Sequence, residues 1–262
     1  MSARGWIGLG ITGATLALAL LSLAWTPWPT DALDIAHRLA PATFAHPLGT
    51  DQLGRDLVSL LMAGGLPAFA TAALALAIGV GVGIPLGLAA AASPGWVDEA
   101  IARVADILFG FPALILAMLI VAVFGPGVAH AALAIGIFNI PVFVRVTRSA
   151  ARGLWARDFI LAARLAGRSG TRISIEHVLP NIAGGLIVQA TIQFAIGLTA
   201  ETGLAYLGLG AQPPQPSWGR MLADGQSLVA IAPRLVLLPG CALLLVIVAV
   251  NLLATALAER RR

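Results

Sequence analysis

Long stretches of this chain carry no charge, and their lengths set the first reading. A hydrocarbon core about 30 Å thick takes about 20 mostly apolar residues per helix, and six stretches meet that requirement. No charge falls between Arg4 and Asp31, which predicts a first span over residues 5–25, closed by the aromatic and proline cluster WTPWP. A signal peptide would have an apolar region of about 7–15 residues and a small-residue cleavage site; this run is longer and ends at Trp25 and Trp28, as a retained anchor does. The uncharged interval 57–97 predicts a second span over 66–92, before the break SPGW. The uncharged interval 107–144 is divided by FGPG at 124–127 into a third and a fourth. A fifth span is expected over 182–207, interrupted by the single carboxylate Glu201, and a sixth over 235–257. The expectation is an all-α membrane protein with six transmembrane helices, folded as a single domain over 1–262.

Composition agrees. The chain is 59% hydrophobic and only 11% charged, where soluble domains carry about 25% charged residues, and its mean hydropathy is +0.92. All 16 basic residues are arginine, so what matters is where they sit. Short cytoplasmic loops collect the basic residues; seven arginines lie between Arg145 and Arg172, and three more close the chain at ERRR. With a cytoplasmic N-terminus, four crossings return the chain inside at Arg145 and six place the C-terminus there too. The outer loops, 26–65 and 208–234, then hold only Arg38, Arg55, Arg220 and Arg234, balanced by Asp31, Asp34, Asp51, Asp56 and Asp224. A nucleic-acid footprint does not fit these arginines, because interleaved aromatics and a soluble binding fold are both missing. A lone cysteine, Cys241, excludes an internal disulfide and a Cys-based metal site.

Between the fourth and fifth spans lies a long polar segment, RDFILAARLAGRSGTRISIEHVLPN, residues 157–181, inside the expected cytoplasmic loop 145–181. At helical spacing Phe159, Ala162, Ala163 and Ala166 share one face, and Arg157, Leu161, Arg164 and Arg168 the other. Small residues allow a partner backbone to come close, and the arginines can meet carboxylates or lipid phosphate. Gly167 permits a sharp reversal, a second short helix is expected over 171–178, and Pro180 is expected to stop it. An ordinary positive-inside loop with an interfacial helix would have the same outline.

Three motifs carry the reading further. The pattern of Ala162 and Ala163, Gly167 four residues on, and a nine-residue gap before HVLP with Leu179 and Pro180 resembles the EAA loop of ABC-importer permeases, the coupling element that docks such permeases onto their ATPase subunits. Leu161 stands where that family has glutamate, which would have been placed to pair with Arg157 and Arg164. HPLGTDQLGRDLVSLLMAGG, 46–65, and YLGLGAQPPQPSWGRMLADG, 206–225, resemble the peptide and nickel importer permeases, in particular the C-type subunit of dipeptide and oligopeptide systems. The tail after Asn251 departs from that family, lacking its Gly-Asp and final Asp-Pro.

The resemblance implies a type I-like importer fold and a bacterial inner-membrane location. It also implies a homologous B-type permease partner, two cytoplasmic ATPase subunits or domains, and an extracytoplasmic substrate-binding protein. The cargo would be di- or oligopeptides; nickel, a metal chelate or another small solute would suit the same machinery, and a self-sufficient proton-coupled carrier working through Glu201 is the rival from another class.

Residue by residue, Arg157, Leu161, Ala162, Ala163, Arg164, Gly167, Leu179 and Pro180 are the candidate coupling set. Intramembrane polar groups mark function by default, so Gln189, Gln193 and Glu201 are the candidate pathway residues; Glu201 could equally pair with a partner subunit or cap a helix break near Gly203. His130 reads as a hydrogen-bonded helix residue, and Asp98, Arg103 and Asp106 are spaced for pairing within one helix. HPLGTD supplies turn and N-cap residues, while QPPQPSW reads as a stiff outer loop with Trp218 as an interfacial anchor. No catalytic constellation is expected, nor a bound cofactor or metal, and a chain without lysine cannot build a GxxxxGK[ST] phosphate loop. ATP would have to bind partner subunits.

Overall fold

A computed structural model describes residues 2–259. It is helical, with no β-strand among the described residues beyond one isolated bridge between Thr50 and Asp56. Among the described residues, five helical stretches are long and apolar enough to cross a membrane: α1 (Ala3–Leu21), α2 (Leu57–Ala92), α5 (Val128–Trp155), the run Gly170–Tyr206 that ends as α8 (Leu179–Tyr206), and α10 (Arg234–Glu259). A sixth candidate crossing, third along the chain, is broken, α3 (Trp96–Gly110) and α4 (Ala113–Phe124) meeting at 86°. The break has a local cause. Pro112 forces the preceding residue out of helical geometry; Phe111 is extended, and the Pro112 carbonyl accepts from Ile115 and Leu116 to start α4.

Two helices outrun their sequence-based limits. Asp56 caps α2, its carboxylate accepting from the Ser59 N–H at 2.8 Å, so α2 starts at Leu57 rather than 66 and runs 36 residues, about 54 Å. Helix α5 continues through Trp155, so Arg145, Arg148 and Arg152 belong to a helix and not to a loop. They account for the acids of α3. Asp98, buried, takes both Arg148 and Arg152, and Arg145 reaches Asp106 at 2.5 Å. Intrahelical pairing fails for these two acids; Arg103 pairs instead with Glu99, one turn away.

Helices α2 and α5 pack side by side and run parallel, Gly79 facing Asn139 and Gly83 facing Phe143. A β-carbon at Gly83 would lie 2.6 Å from Phe143 Cβ and 2.7 Å from the Ile140 carbonyl oxygen, so only glycine admits this approach. Parallel neighbours need a return crossing between them, which α3 and α4 supply. Helix α8 packs on α2, α10 and α5, burying Leu198 with Phe69, Ala72 and Val246.

The 26–56 segment forms a cap held by its own polar groups and by Arg234 of α10. His46 meets Asp56 at 3.0 Å, Arg55 meets Asp51 at 2.7 Å, Thr50 Oγ1 donates to the His37 carbonyl, and Arg234 donates to the carbonyls of Leu39 and Ala40. The HPLGTD motif is therefore a turn, Asp51 Oδ1 accepting from the N–H groups of Leu53 and Arg55, and the expected N-cap role falls instead to Asp56, beyond the motif. Trp218 departs from expectation: it opens α9 (Trp218–Gln226), is 3% exposed, and donates Nε1 to the Leu61 carbonyl at 2.9 Å. It is a core residue packed against Gly64 and Gly65, not an interfacial anchor. His130 holds the Gly125 carbonyl at 2.8 Å, the hydrogen-bonded role expected of it. Arg260 to Arg262 of the terminal arginine cluster lie outside the described residues.

Candidate functional site: the α6 surface and the α8 rod

Helix α6 (Asp158–Leu165) follows Trp155 after a two-residue step, with Arg157 as its N-cap and Asp158 in its first turn. It ends by the residues of its own C-terminus. The Gly167 N–H donates to Arg164 O at 2.9 Å and the Arg168 N–H to Ala163 O at 3.2 Å, the pair of bonds of a Schellman motif. The motif needs a left-handed residue, and Gly167 has φ +77°. Nothing lies within 4 Å of a β-carbon placed there, so the demand for glycine is conformational and not steric.

The helix has two faces, and they are not those expected. Ile160 and Ala163 are buried against Ala151, Ile173 and Val178. Ala163 is thus consumed in seating α6 on its own chain. Phe159, Leu161, Ala162, Leu165 and Ala166 face outward, Leu161 at 55% exposure and Leu165 at 82%. The exposed ridge is apolar and flanked by arginine. The Arg164 guanidinium stacks over Trp155 at 4.8 Å from the ring centre, and Arg157 makes no side-chain hydrogen bond or ion pair among the described residues. Arg168 is paired: Glu176 takes it together with Arg172, the latter at 2.7 Å. Glu176 was missing from the sequence-derived set, although its four-residue spacing from Arg172 is the signal that could have found it.

From this surface the chain returns without a stop. Helix α7 (Gly170–Ile173) is capped by Ser169, a π-helical turn covers Ser174–Val178, and α8 begins at Leu179. Pro180 does not end the helix. The wider turn, in which the Leu179 N–H donates to Ser174 O, shifts the hydrogen-bond register ahead of the proline, and Pro180 then occupies the first turn of α8, where its missing N–H is harmless. Leu179 packs partly into the cluster beneath α6 and Pro180 is exposed. The run Gly170–Tyr206 counts 37 helical residues. It links the α6 surface to Gln189, Gln193 and Glu201.

Those three residues differ in burial. Gln189 is half-buried, Gln193 is buried, and Glu201 is fully buried with neither carboxylate oxygen hydrogen-bonded. Helix α8 continues unbroken past Gly203, so Glu201 caps no helix break. Among the described residues no cluster of His, Cys, Asp and Glu suits a metal ion. Chemically, the arrangement offers a rigid apolar ridge with guanidinium flanks on one face, and a buried carboxyl at the far end of the same rod.

Comparison with known proteins gives a consistent picture. Residues 83–262 match the family of binding-protein-dependent transport system inner membrane components. A dipeptide transport system permease protein of Alkalihalophilus pseudofirmus is 35% identical over 97% of this chain and 83% of its own length. A di/tripeptide transport system permease protein of Pseudomonas aeruginosa is 42% identical over 81% of the chain and 70% of its own. A glutathione transport system permease protein of Salmonella typhimurium is 36% identical over 98% and 86%. Among solved structures, the inward-facing MetNI methionine ABC transporter superposes with a TM-score of 0.60 at 17% identity, covering 76% of this chain and 96% of that one, a likeness of fold.

Proposed function

Because this chain belongs to the binding-protein-dependent transport system inner-membrane component family, a multi-pass permease family, we propose that it is the permease subunit of an ATP-driven importer of di- and oligopeptides, forming half of the translocation pathway. The relatives named for dipeptides, di/tripeptides and glutathione favour a peptide cargo. The chain acts as one permease domain over 1–262 with both termini cytoplasmic, so that α6 faces the cytoplasm. Its partners are a homologous B-type permease, two ATPase subunits that bind and hydrolyse ATP, and an extracytoplasmic binding protein.

One observation carries this reading: α6 offers an exposed apolar ridge, fixed at its end by Gly167 and joined through one continuous helical run to the residues of α8. In this role Leu161, Ala162, Arg157 and Arg164 form the ATPase-docking face, while Ala163, Gly167, Leu179 and Pro180 hold it in place. Gln189, Gln193 and Glu201 become pathway residues once the helices separate. Without glutamate at Leu161, docking relies on the apolar ridge, and Glu176 supplies the carboxylate that orders the nearby arginines.

Co-purification of the ATPase subunits tests the docking role. Gly167→Asp forces a side chain into a left-handed backbone, at about 1–2 kcal/mol, and should weaken ATPase binding while the protein still inserts in the membrane. Undiminished co-purification with normal transport-coupled ATP hydrolysis would overturn it. The importer reading itself predicts that dipeptide uptake into vesicles needs ATP and every partner; uptake by this chain alone would refute it.

A further inference from the structure

A push on α6 has to cross a compliant stretch of chain before it reaches α8. Between the two lie the left-handed Gly167, the four residues of α7 and the π-helical turn Ser174–Val178. Glycine has the widest choice of dihedral angles, and a π turn is a local departure from the α-helical register. Left to the backbone alone, α6 would swing on this stretch.

Two kinds of contact bypass it. Ile160 and Ala163 of α6 share a buried cluster with Ile173 and Val178. Apolar contact is non-directional: it opposes lifting α6 away but sets no orientation for it. Direction comes from charge. Arg168, in the reversal, donates to Glu176 Oε2, and Arg172, in α7, donates to Oε1 of the same carboxylate at 2.7 Å. Arg172 and Glu176 stand one turn apart on the same run, so their pairing steadies that run locally. Among the described residues, the Arg168–Glu176 contact is the one polar side-chain contact that joins residues 157–168 to residues 170–181. Glu176 is 35% exposed and both arginines more so, and ion pairs of that kind add little to folding stability. The pair therefore bears on where α6 points and hardly on whether the chain folds.

Given the docking role of α6 above, we propose that Glu176 is a positioning residue for coupling. By holding Arg168 from within the π turn, it fixes the angle between α6 and α8, so that movement imposed on the apolar ridge is passed to α8 and not absorbed at Gly167.

Three variants separate this tie from local support. Glu176→Ala removes both contacts, Arg168→Ala only the one across the reversal, and Arg172→Ala only the one within the run. Spin labels at Leu165→Cys on α6 and Ile187→Cys on α8, both exposed, are placed in the full chain after Cys241→Ala removes its single cysteine. In lipid vesicles, Glu176→Ala and Arg168→Ala should widen the distance distribution measured by double electron–electron resonance, and Arg172→Ala should leave it as narrow as in the parent chain. Unchanged widths in the first two, or equal widening by Arg172→Ala, would overturn the proposal. With the transporter assembled, the first two should raise the ATP hydrolysed per dipeptide imported by about two- to fivefold, the shift a partly exposed pair imposes, while the ATPase subunits still co-purify. An unchanged ratio would overturn the proposal, and so would lost co-purification, which would make Glu176 part of the docking surface. If the parent transporter imports without ATP, the importer reading itself fails, and the spin-label comparison still decides whether Glu176 fixes α6.

Discussion

Alanine at Gly83 should push α2 and α5 apart, whereas alanine at Gly81 should not. The two sites share a helix and a residue change, so the helix-propensity gain of alanine over glycine, about 1 kcal/mol, cancels between them. What differs is space. At Gly83 the new methyl lies 2.6 Å from Phe143 Cβ and 2.7 Å from Ile140 O; at Gly81 nothing lies within 4 Å. Carbon atoms settle at about 3.5–4.0 Å, so α5 must retreat by about 1 Å, and the Ile140 carbonyl belongs to the backbone and cannot rotate aside. Overpacking of this kind costs about 1–3 kcal/mol, or about 5- to 150-fold in the folded-to-unfolded ratio at 1.4 kcal/mol per factor of ten. Reversible unfolding of both variants in mixed micelles with increasing sodium dodecyl sulfate, followed by tryptophan fluorescence, measures the difference directly. Equal midpoints would refute the reasoning: they would mean that α5 yields without cost and that close contact along this seam does not position the helices.

Other expectations follow from single sites. Asp98→Asn leaves Arg148 and Arg152 without their shared carboxylate and should cost about 1.5–3 kcal/mol, typical of hydrogen bonds to charged groups; the same detergent titration, with proteolysis within α3, reads it. Glu201→Gln should match or exceed the native protein in stability, since neither carboxylate oxygen is bonded in this conformation and an unpaired buried charge is expensive. If this variant assembles normally yet loses uptake, Glu201 acts in the pathway; full uptake removes it from that role. Leu161→Glu adds a carboxylate one turn from Arg157 and three residues from Arg164 and should reduce the salt sensitivity of ATPase co-purification by the few tenths of a kcal/mol of a helical pair; an unchanged salt profile would show that the arginines do not contribute to docking.

The sequence made the span count, the short helix after Arg157 and its closing glycine legible because each rests on local chemistry. An uncharged run of sufficient length has few alternatives, and Gly167 closes α6 as a C-terminal glycine should. What it hid depends on partners distant in the chain. Asp98 sits five residues from Arg103, its one basic neighbour on α3, yet its arginines lie 50 and 54 positions away on α5. Trp218 has the flanks of an interfacial residue, and only the packing of α9 against Gly64 and Gly65 turns it inward. Pro180 looked like a stop because a lone proline in a helix usually is one; the π turn that accommodates it has no pattern to read. The third crossing was found as a span but not as a bent one, although Pro112 was there to be seen.

The unbroken helical run from Gly170 to Tyr206 has a mechanical consequence. Its 37 residues make a rod about 55 Å long at 1.5 Å per residue, fastened at one end beneath α6 and passing between α2 and α10 along its length. A rod braced near its middle works as a lever. Tilting its lower end by about 5° would carry the far end through about 2–3 Å if the pivot lies halfway along those 55 Å. That is enough to slide the Glu201 end past its neighbours, but too little to break the helix. The π turn and Pro180 sit near the driven end of this lever, where a compliant joint would decide how much of a push against α6 reaches Glu201 and how much is absorbed as local bending.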